Sequence, residues 1–304
     1  MTKLRATLAV TLLLASACAG SSSGGAAEAR GESLAVEEER APIRVLVITA
    51  TSRWRHGDAI EAAREVLQEA GRTTEFEFDL TEDLGALMSA NLAQYDVLFF
   101  ANSTLHVAEP DNPRDEGPVY PLNHENPAPP LTPAQQQAIL DFVRSGKGVA
   151  VAHAGLDALF GWSEYREMVG GGLYRLHPWV QTVRITVEEP NNPAAQHFGE
   201  SFELRDEIYV LDRNPRETSR VLLSLDVDSV DLEEAPAGTT AHDYPLSWIR
   251  SHEGGRVFVT VLGHFPEVWH TPAYVEHLLQ GMRIAAGRVE ADLSRQPART
   301  APAP

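Results

Sequence analysis

The stretch TPAQQQAILDFVRSGKGVAVAH (residues 132–153) predicts a helix that runs directly into a buried strand. Thr132, Pro133 and Gln135 stand in the order of a helix cap, with proline at the first helical position and Gln three residues after the cap. Gly146 ends the helix. The apolar run GVAVA that follows is too short for a helix and is typical of a strand buried on both faces.

Similar units precede this stretch. The runs IRVLVITA (43–50) and YDVLFF (95–100) predict buried strands, and TEFEF (74–78) predicts a half-buried one. Between them Asp58 and Glu61 predict a capping box for a helix that ends near Gly71. Strands alternating with helices predict an α/β fold with a mostly parallel, flavodoxin-like sheet flanked by helices, in which the first, third and fourth strands are neighbours.

The second half of the chain predicts antiparallel strands that extend this sheet. The predicted strands cover residues 183–187, 202–211, 221–225, 246–249 and 256–262. Glu253-Gly254-Gly255 predicts a hairpin turn before the last of them, and a final helix runs from Thr271 to Gly287. We therefore expect one domain over residues 42–288.

Both ends of the chain lack the apolar side chains of a core. Residues 1–17 predict a signal peptide, and the small residues before Cys18 resemble the lipobox of bacterial lipoproteins. The alternative is an ordinary signal peptide followed by an unmodified cysteine. Residues 18–41 predict a flexible tether and residues 289–304 a disordered tail. The expected location is a periplasmic or cell-surface lipoprotein anchored at Cys18, so that the lipid is the only contact with a membrane.

Charge and cysteine content exclude several functions. The formal net charge is −18 and no basic stripe is present, so nucleic acid is not an expected partner. A single cysteine leaves no disulfide within the chain. At the turn after the strand GVAVA, where such sheets often carry a nucleophile, the sequence places His153 and neither Cys nor Ser. This excludes a cysteine-dependent amidotransferase.

Four of the eleven histidines follow predicted core strands. These are His56, His106, His153 and His264. Because ligands bind at the carboxyl edge of open α/β sheets, we expect these histidines to line one cleft. Two chemistries remain open. His56, His153 and His264 can hold a divalent metal such as zinc with carboxylates among Asp157, Asp206, Glu207 and Asp243, although no HExxH motif is present. Alternatively, the same groups act as acid and base without a metal.

Aromatic residues lie near the same turns and suit the apolar faces of sugar rings. They are Trp54, Trp162, Trp179, Trp248, Trp269, Tyr174 and Tyr209. The alternative for each is core packing.

The residues that carry chemistry resemble a known family, the ThuA-like (trehalose utilisation) family. The matching segments are Arg55-His56, His153-Ala154-Gly155, Gly170 to Pro178, Asp206 to Tyr209, Pro245 to Trp248, Leu262-Gly263-His264 and His277 to Gly287. The resemblance covers about residues 43–288. It implies a class I glutamine amidotransferase-like fold without the cysteine, and a role in disaccharide or keto-sugar catabolism. The segment from His106 to Leu131 is longer than usual for the family and is either a lid or substrate wall, or a surface loop.

We therefore expect a carbohydrate-directed protein, with an enzyme (a hydrolase or lyase) favoured over a non-catalytic sugar-binding module. The expected catalytic residues are His153, His56, His264, Asp206 and Glu207. The expected substrate-binding residues are Arg55, His106, His177, Tyr209, Trp248 and Trp269. Neither the substrate nor the oligomeric state follows from the sequence.

Overall fold

The computed structural model describes residues 41–111, 117–234 and 243–296. The predicted signal peptide, the lipidation site at Cys18 and nearly all of the predicted tether lie outside these ranges. Across them, no helix combines the length and the apolar character needed to cross a membrane.

The described residues contain a nine-stranded sheet in the order β2-β1-β3-β4-β9-β8-β7-β5-β6. Its strands are β1 (Ile43–Ile48), β2 (Phe76–Thr81), β3 (Val97–Ala101), β4 (Gly148–Ala152), β5 (Tyr174–Val187), β6 (Ser201–Leu211), β7 (Arg220–Leu225), β8 (Pro245–His252) and β9 (Gly255–Thr260). The ladders from β2 to β9 are parallel, and those from β9 to β6 are antiparallel. The predicted mixed α/β fold is therefore confirmed.

Helices flank this sheet, and the first three of them connect the strands β1, β2, β3 and β4 in chain order. They are α1 (Gly57–Thr73), α2 (Ser89–Leu92), α3 (Pro133–Arg144), α4 (Ser163–Met168), α5 (Pro266–Trp269) and α6 (Pro272–Ala285). At the start of α3 the Thr132 hydroxyl accepts a hydrogen bond from the Gln135 N–H, and the Gln135 side chain accepts one from the Thr132 N–H, so the predicted capping box is confirmed.

The predicted capping box of α1 is wrong. The helix begins at Gly57, and His56 occupies the N-cap without a side-chain cap. Asp58 therefore lies within the first turn. Its carboxylate interacts favourably with the positive end of the helix dipole but caps no N–H group. His56, a candidate functional residue, therefore lies at the very start of the helix.

The chain after α6 also differs from the expected disordered tail. Val289, Ala291 and Leu293 pack against the core. Gln296 pairs with the backbone of Val221, donating to its carbonyl at 2.9 Å and accepting from its N–H at 3.1 Å. These three apolar residues alternate along the chain, so the segment has one face that can be buried. The Pro/Ala-rich composition of the chain end does not indicate this packing. Residues 297–304 lie outside the described ranges.

The strands β5 and β6 reach well beyond the rest of the sheet. β5 pairs with β7 only over Ile185–Val187, whereas its ladder with β6 continues to the pair Tyr174–Leu211. We call residues 174–181 and 206–211 the β5–β6 arm. Asp206 in this arm hydrogen bonds to the backbone of Gly263, beyond the carboxyl end of β9. The arm thus covers the sheet edge at which ligands of α/β folds bind.

Candidate functional site

Three histidines and one glutamate converge at the carboxyl edge of the sheet. His56 follows β1, His153 follows β4 and His264 follows β9, while Glu207 comes from the β5–β6 arm. One ligand atom from each of the four lies within 4.8 Å of the others. We call these four residues the histidine cluster. Three of the four histidines that were expected to line one cleft, His56, His153 and His264, therefore lie together here.

The turn after β4 points His153 into the cluster. Its backbone has a φ of 46°, a left-handed conformation that is strained for a side chain of this size. The ring is fully buried, and its Nδ1 lies 2.8 Å from the carbonyl oxygen of Val261. Because a carbonyl can only accept, Nδ1 carries the proton. Nε2 therefore presents its lone pair, 3.2 Å from Nδ1 of His264.

Asn102 connects the turns that carry His153 and His264, and the sequence analysis missed it. It follows β3 with a φ of 51°. Its side-chain amide donates to the Gly263 carbonyl at 3.1 Å and accepts from the Ala154 N–H at 3.4 Å. Asparagine tolerates the left-handed conformation better than most residues. An Asn directly after a buried strand is therefore the sequence feature that indicates such a turn.

Asp206 and Trp269 position His264 rather than face a ligand. The buried Asp206 carboxylate accepts from the backbone N–H groups of Gly263 at 2.7 Å and His264 at 3.0 Å. The fully buried Trp269 donates from its indole to the Gly263 carbonyl at 2.9 Å. Neither expected role, catalysis by Asp206 or substrate contact by Trp269, agrees with these positions, because both side chains are used to shape the His264 turn.

Burial keeps the cluster uncharged. It is the main cause that lowers the pKa of His56 to about 3 and that of His264 to about 4, and neighbouring imidazoles contribute to both shifts. It also holds the pKa of His153 well below its usual value. Burial raises the pKa of Glu207 to about 8, with the charges of Asp206 and Asp157 adding to the effect. Near neutral pH the imidazoles are therefore unprotonated and Glu207 carries a proton.

The donor set of the cluster fits a divalent metal such as zinc. His264 Nδ1 lies 3.2 Å from Glu207 Oε2, and His153 Nε2 lies 3.7 Å from Glu207 Oε1. Tetrahedral zinc with bonds near 2.0–2.1 Å separates its ligands by about 3.3 Å. Nδ1 of His56 is buried without a hydrogen-bond partner among the described residues. The Val261 carbonyl orients His153 in the way that outer partners commonly orient metal-ligating histidines.

A cavity of about 320 Å³ opens over Glu207 and His264. We call it the histidine cavity. Its remaining walls are Trp54, His56, Tyr120, Asp157, Tyr174, His177 and Tyr209. Two of the expected substrate-binding residues, His177 and Tyr209, therefore line this cavity. His177 also connects the wall to the cluster, since its Nδ1 lies 2.8 Å from the Tyr174 hydroxyl and 3.4 Å from Glu207 Oε1.

Asp157 lines this cavity. From the sequence it is one of four acids that could accompany the histidines. Burial raises its pKa to about 7, against the opposing charge of Arg53. The Tyr120 hydroxyl donates to its Oδ2. Its Oδ1 is buried and has no hydrogen-bond partner among the described residues. A buried carboxyl oxygen without a partner is costly and marks a site where a ligand group can bind.

Other expected residues lie elsewhere. Trp248 is fully buried and donates its indole N–H to Val169, so it is a core residue and the expected substrate contact is wrong. Arg55 pairs with Glu82 at 2.9 Å, outside the cavity wall. Asp243 pairs with Arg216 at 2.7 Å, away from the histidine cluster.

His106 is absent from the histidine cluster because β3 already ends at Ala101 and the chain turns away before reaching it. It lies on the wall of an adjoining cavity.

Comparison with known proteins places these residues in a family context. A family model described as ThuA, trehalose utilisation, matches residues 44–285. A thua-like protein from Bacteroides uniformis has a similar structure, with a TM-score of 0.60 at 22% identity over 80% of this chain and 91% of that one. A thua-like protein from Parabacteroides merdae gives 0.58 at 17% identity over 84% and 98%. No curated protein matches significantly. At these identities the two structures show a shared fold.

Proposed function

The chain belongs to the ThuA family, which is linked to trehalose utilisation, and from this premise we propose that it is an enzyme that breaks down disaccharides or their keto forms in the histidine cavity. The observation that carries the proposal is the position of the histidine cluster directly under an aromatic-walled cavity that also contains a buried acid. Reactive groups and a binding surface for a sugar therefore occupy the same space.

The walls of the histidine cavity suit one sugar ring. Its volume of about 320 Å³ lies at the lower end of ligand pockets, roughly 300–1,000 Å³. Trp54 is 38% exposed at the rim and lies edge-on to Tyr120, with 6.3 Å between ring centroids. Aromatic faces of this kind pack against the C–H faces of sugars, while Asp157 and His177 can meet hydroxyl groups.

We propose that His56, His153, His264 and Glu207 hold a divalent metal such as zinc. These residues would hold the ion, and the chemistry it would supply there is polarisation of a carbonyl or hydroxyl oxygen of the substrate, or of a water. The chain itself contributes the orientation of the ligands. Val261 fixes the proton of His153 on Nδ1, and Asp206 fixes the turn that presents His264.

We assign proton transfer to Asp157 in the wall of the same cavity. A pKa near 7 allows a carboxyl group both to give and to take a proton at neutral pH. The Tyr120 hydroxyl holds Oδ2, which leaves Oδ1 for the substrate. As a metal ligand Glu207 would not be free to transfer a proton, so the two carboxyl groups have different proposed roles.

We further propose that the protein is exported and anchored to a membrane by lipid on Cys18. A tether of two dozen residues spans at most about 80 Å when extended, which leaves the domain free to meet sugars outside the cell. Labelling with a radioactive fatty acid tests the anchor directly. Label is expected in the wild type and not in Cys18→Ser, and label in neither variant would contradict the anchor without affecting the proposal for the cavity.

The test of the proposed activity combines metal analysis with turnover. The purified protein is analysed for bound metal and then incubated with trehalose, other disaccharides and their 3-keto forms. Product formation that a chelator abolishes supports a metal-dependent enzyme. Saturable binding of a sugar without product over long incubation would favour the alternative, a non-catalytic sugar-binding module, since such a module needs the cavity but no proton transfer.

A further inference from the structure

A second cavity of about 370 Å³ adjoins the histidine cavity. The β1–α1 loop contributes Arg53 to its wall, the segment between β3 and α3 contributes Val107 and Leu122, and the chain after β4 contributes Phe160. We call it the second cavity. Its volume is similar to that of the histidine cavity and also falls within the range of small-molecule sites.

Tyr120 separates the two cavities and belongs to the wall of both. Its hydroxyl donates to Asp157, which lines the histidine cavity. On the other side, the Arg53 guanidinium lies 4.9 Å from the centre of the Tyr120 ring and 5.1 Å from that of Phe160, and these three residues line the second cavity. A ligand that extends across the Tyr120 ring would therefore contact both spaces.

We propose that the second cavity is the aglycone subsite of the histidine cavity and that it takes the apolar, aryl group of an aryl glycoside. The inference rests on the proposed function, because it assumes that a sugar ring occupies the histidine cavity. It adds a substrate class, namely glycosides with one sugar unit and one aromatic unit.

The lining of the second cavity favours an aryl group over a second sugar. Most of its side chains are apolar or aromatic, among them Val107, Pro110, Leu122 and Phe160. Of the polar ones, the Ser52 hydroxyl is inaccessible to solvent and the Arg53 guanidinium lies over two rings. A second sugar finds fewer partners there for its hydroxyl groups, so a disaccharide occupies the same two spaces but binds more weakly than an aryl glycoside of the same sugar.

The rim of the second cavity carries apolar side chains that a ligand would cover. Val119 is 92% exposed and Leu122 is 51% exposed. Burial of such surface against an aryl ring removes apolar area from water, which favours binding. His106 is the exposed polar residue of this wall, and its imidazole suits a hydroxyl substituent on the ring. This gives His106 a place in substrate binding apart from the histidine cluster.

The test is a calorimetric titration of the full-length, zinc-supplemented protein with methyl glucoside and phenyl glucoside of the same anomeric form. We expect phenyl glucoside to bind about tenfold more tightly, with a more negative heat-capacity change, because only it buries an aryl group. Leu122→Trp fills the second cavity and should remove this advantage while methyl glucoside binds as before. Leu122→Ser should reduce it, and Met88→Ser, a change at an exposed apolar residue outside both cavities, should not.

The outcomes separate the two proposals. If methyl glucoside binds and phenyl glucoside binds no more tightly, the aglycone subsite is overturned and the sugar site stands. If the phenyl advantage survives both substitutions of Leu122, the aryl group binds elsewhere and the subsite is again overturned. If neither glucoside, nor the corresponding galactoside and mannoside pairs, binds at all, the sugar site itself fails and the subsite fails with it.

Discussion

Nε2 of His153 lies 3.2 Å from Nδ1 of His264, although 111 residues separate them in the chain. The contact depends on two turns at the ends of neighbouring parallel strands, β4 and β9. Each turn has its own support, the Val261 carbonyl for His153 and the Asp206 carboxylate for His264. Two imidazoles held in this way at ligand spacing are the centre of the proposed site.

Zinc binding should depend on the cluster and on no other histidine. Wild-type protein dialysed against zinc is expected to retain about one ion, and His264→Ala should weaken binding by roughly a hundredfold or more because it removes one ligand. His270→Ala is the matched control, since His270 is exposed and its ion-pair partner is Glu65, outside the cluster. Equal zinc retention by His264→Ala and wild type would contradict the assignment.

Binding of zinc at pH 7 should release a proton. The pKa of Glu207 is raised to about 8 without a metal, so the group is mostly protonated at pH 7 and must lose its proton to become a ligand. Titration calorimetry in buffers of different ionisation enthalpy measures this release. About one proton per ion is expected from the wild type and close to none from Glu207→Gln. A wild type that releases no proton would show that Glu207 is not a ligand or is already ionised.

Asp157→Asn should stabilise the protein at alkaline pH. The pKa of Asp157 is raised to about 7 in the fold, whereas an unfolded Asp titrates near 3.9. The wild type therefore loses stability as the pH rises from about 3.9 to about 7, because over this range the unfolded state has released its proton while the native state keeps it. Urea unfolding is expected to show similar free energies at pH 5 and a variant more stable by about 1–3 kcal/mol at pH 8. Equal stability at both pH values would mean that the carboxyl is not desolvated.

The same variant tests the proposed proton transfer. Asparagine keeps the shape of Asp157 and can still accept from Tyr120, but it cannot carry a proton at neutral pH. Turnover should fall by roughly a hundredfold or more while sugar binding is retained. Unchanged turnover in Asp157→Asn would remove this residue from the mechanism and leave the histidine cluster untouched.

Substitution of His153 should cost stability, in contrast to His264. His153→Ala removes a fully buried ring and leaves the Val261 carbonyl without its partner, so we expect a loss of about 2 kcal/mol or more in the free energy of unfolding. The His264 side chain is 23% exposed, and its removal should cost less than half as much. Chemical denaturation of both variants without metal measures the difference. For this reason His264→Ala is the cleaner probe of function.

Much of the parallel half of this fold was predictable from local sequence. The run GVAVA and the Thr132–Gln135 capping box are short-range signals, and the structure has both. The sheet-edge rule then located His56, His153 and His264. The β5–β6 arm was not predictable, because the contact of Asp206 with Gly263 spans 57 residues. Asp206 and Glu207 are adjacent in sequence, and neighbouring residues of a strand point to opposite faces. The sequence alone therefore does not show which of the two shapes a turn and which joins the cluster.

Turnover of disaccharides and their 3-keto forms by wild type, His264→Ala and the control His270→Ala tests the proposed site most directly, with all three proteins loaded with zinc and checked for folding. We expect product from the wild type and His270→Ala, and about a hundredfold less or lower still from His264→Ala. Full turnover by His264→Ala would show that the histidine cluster is not the site of the reaction.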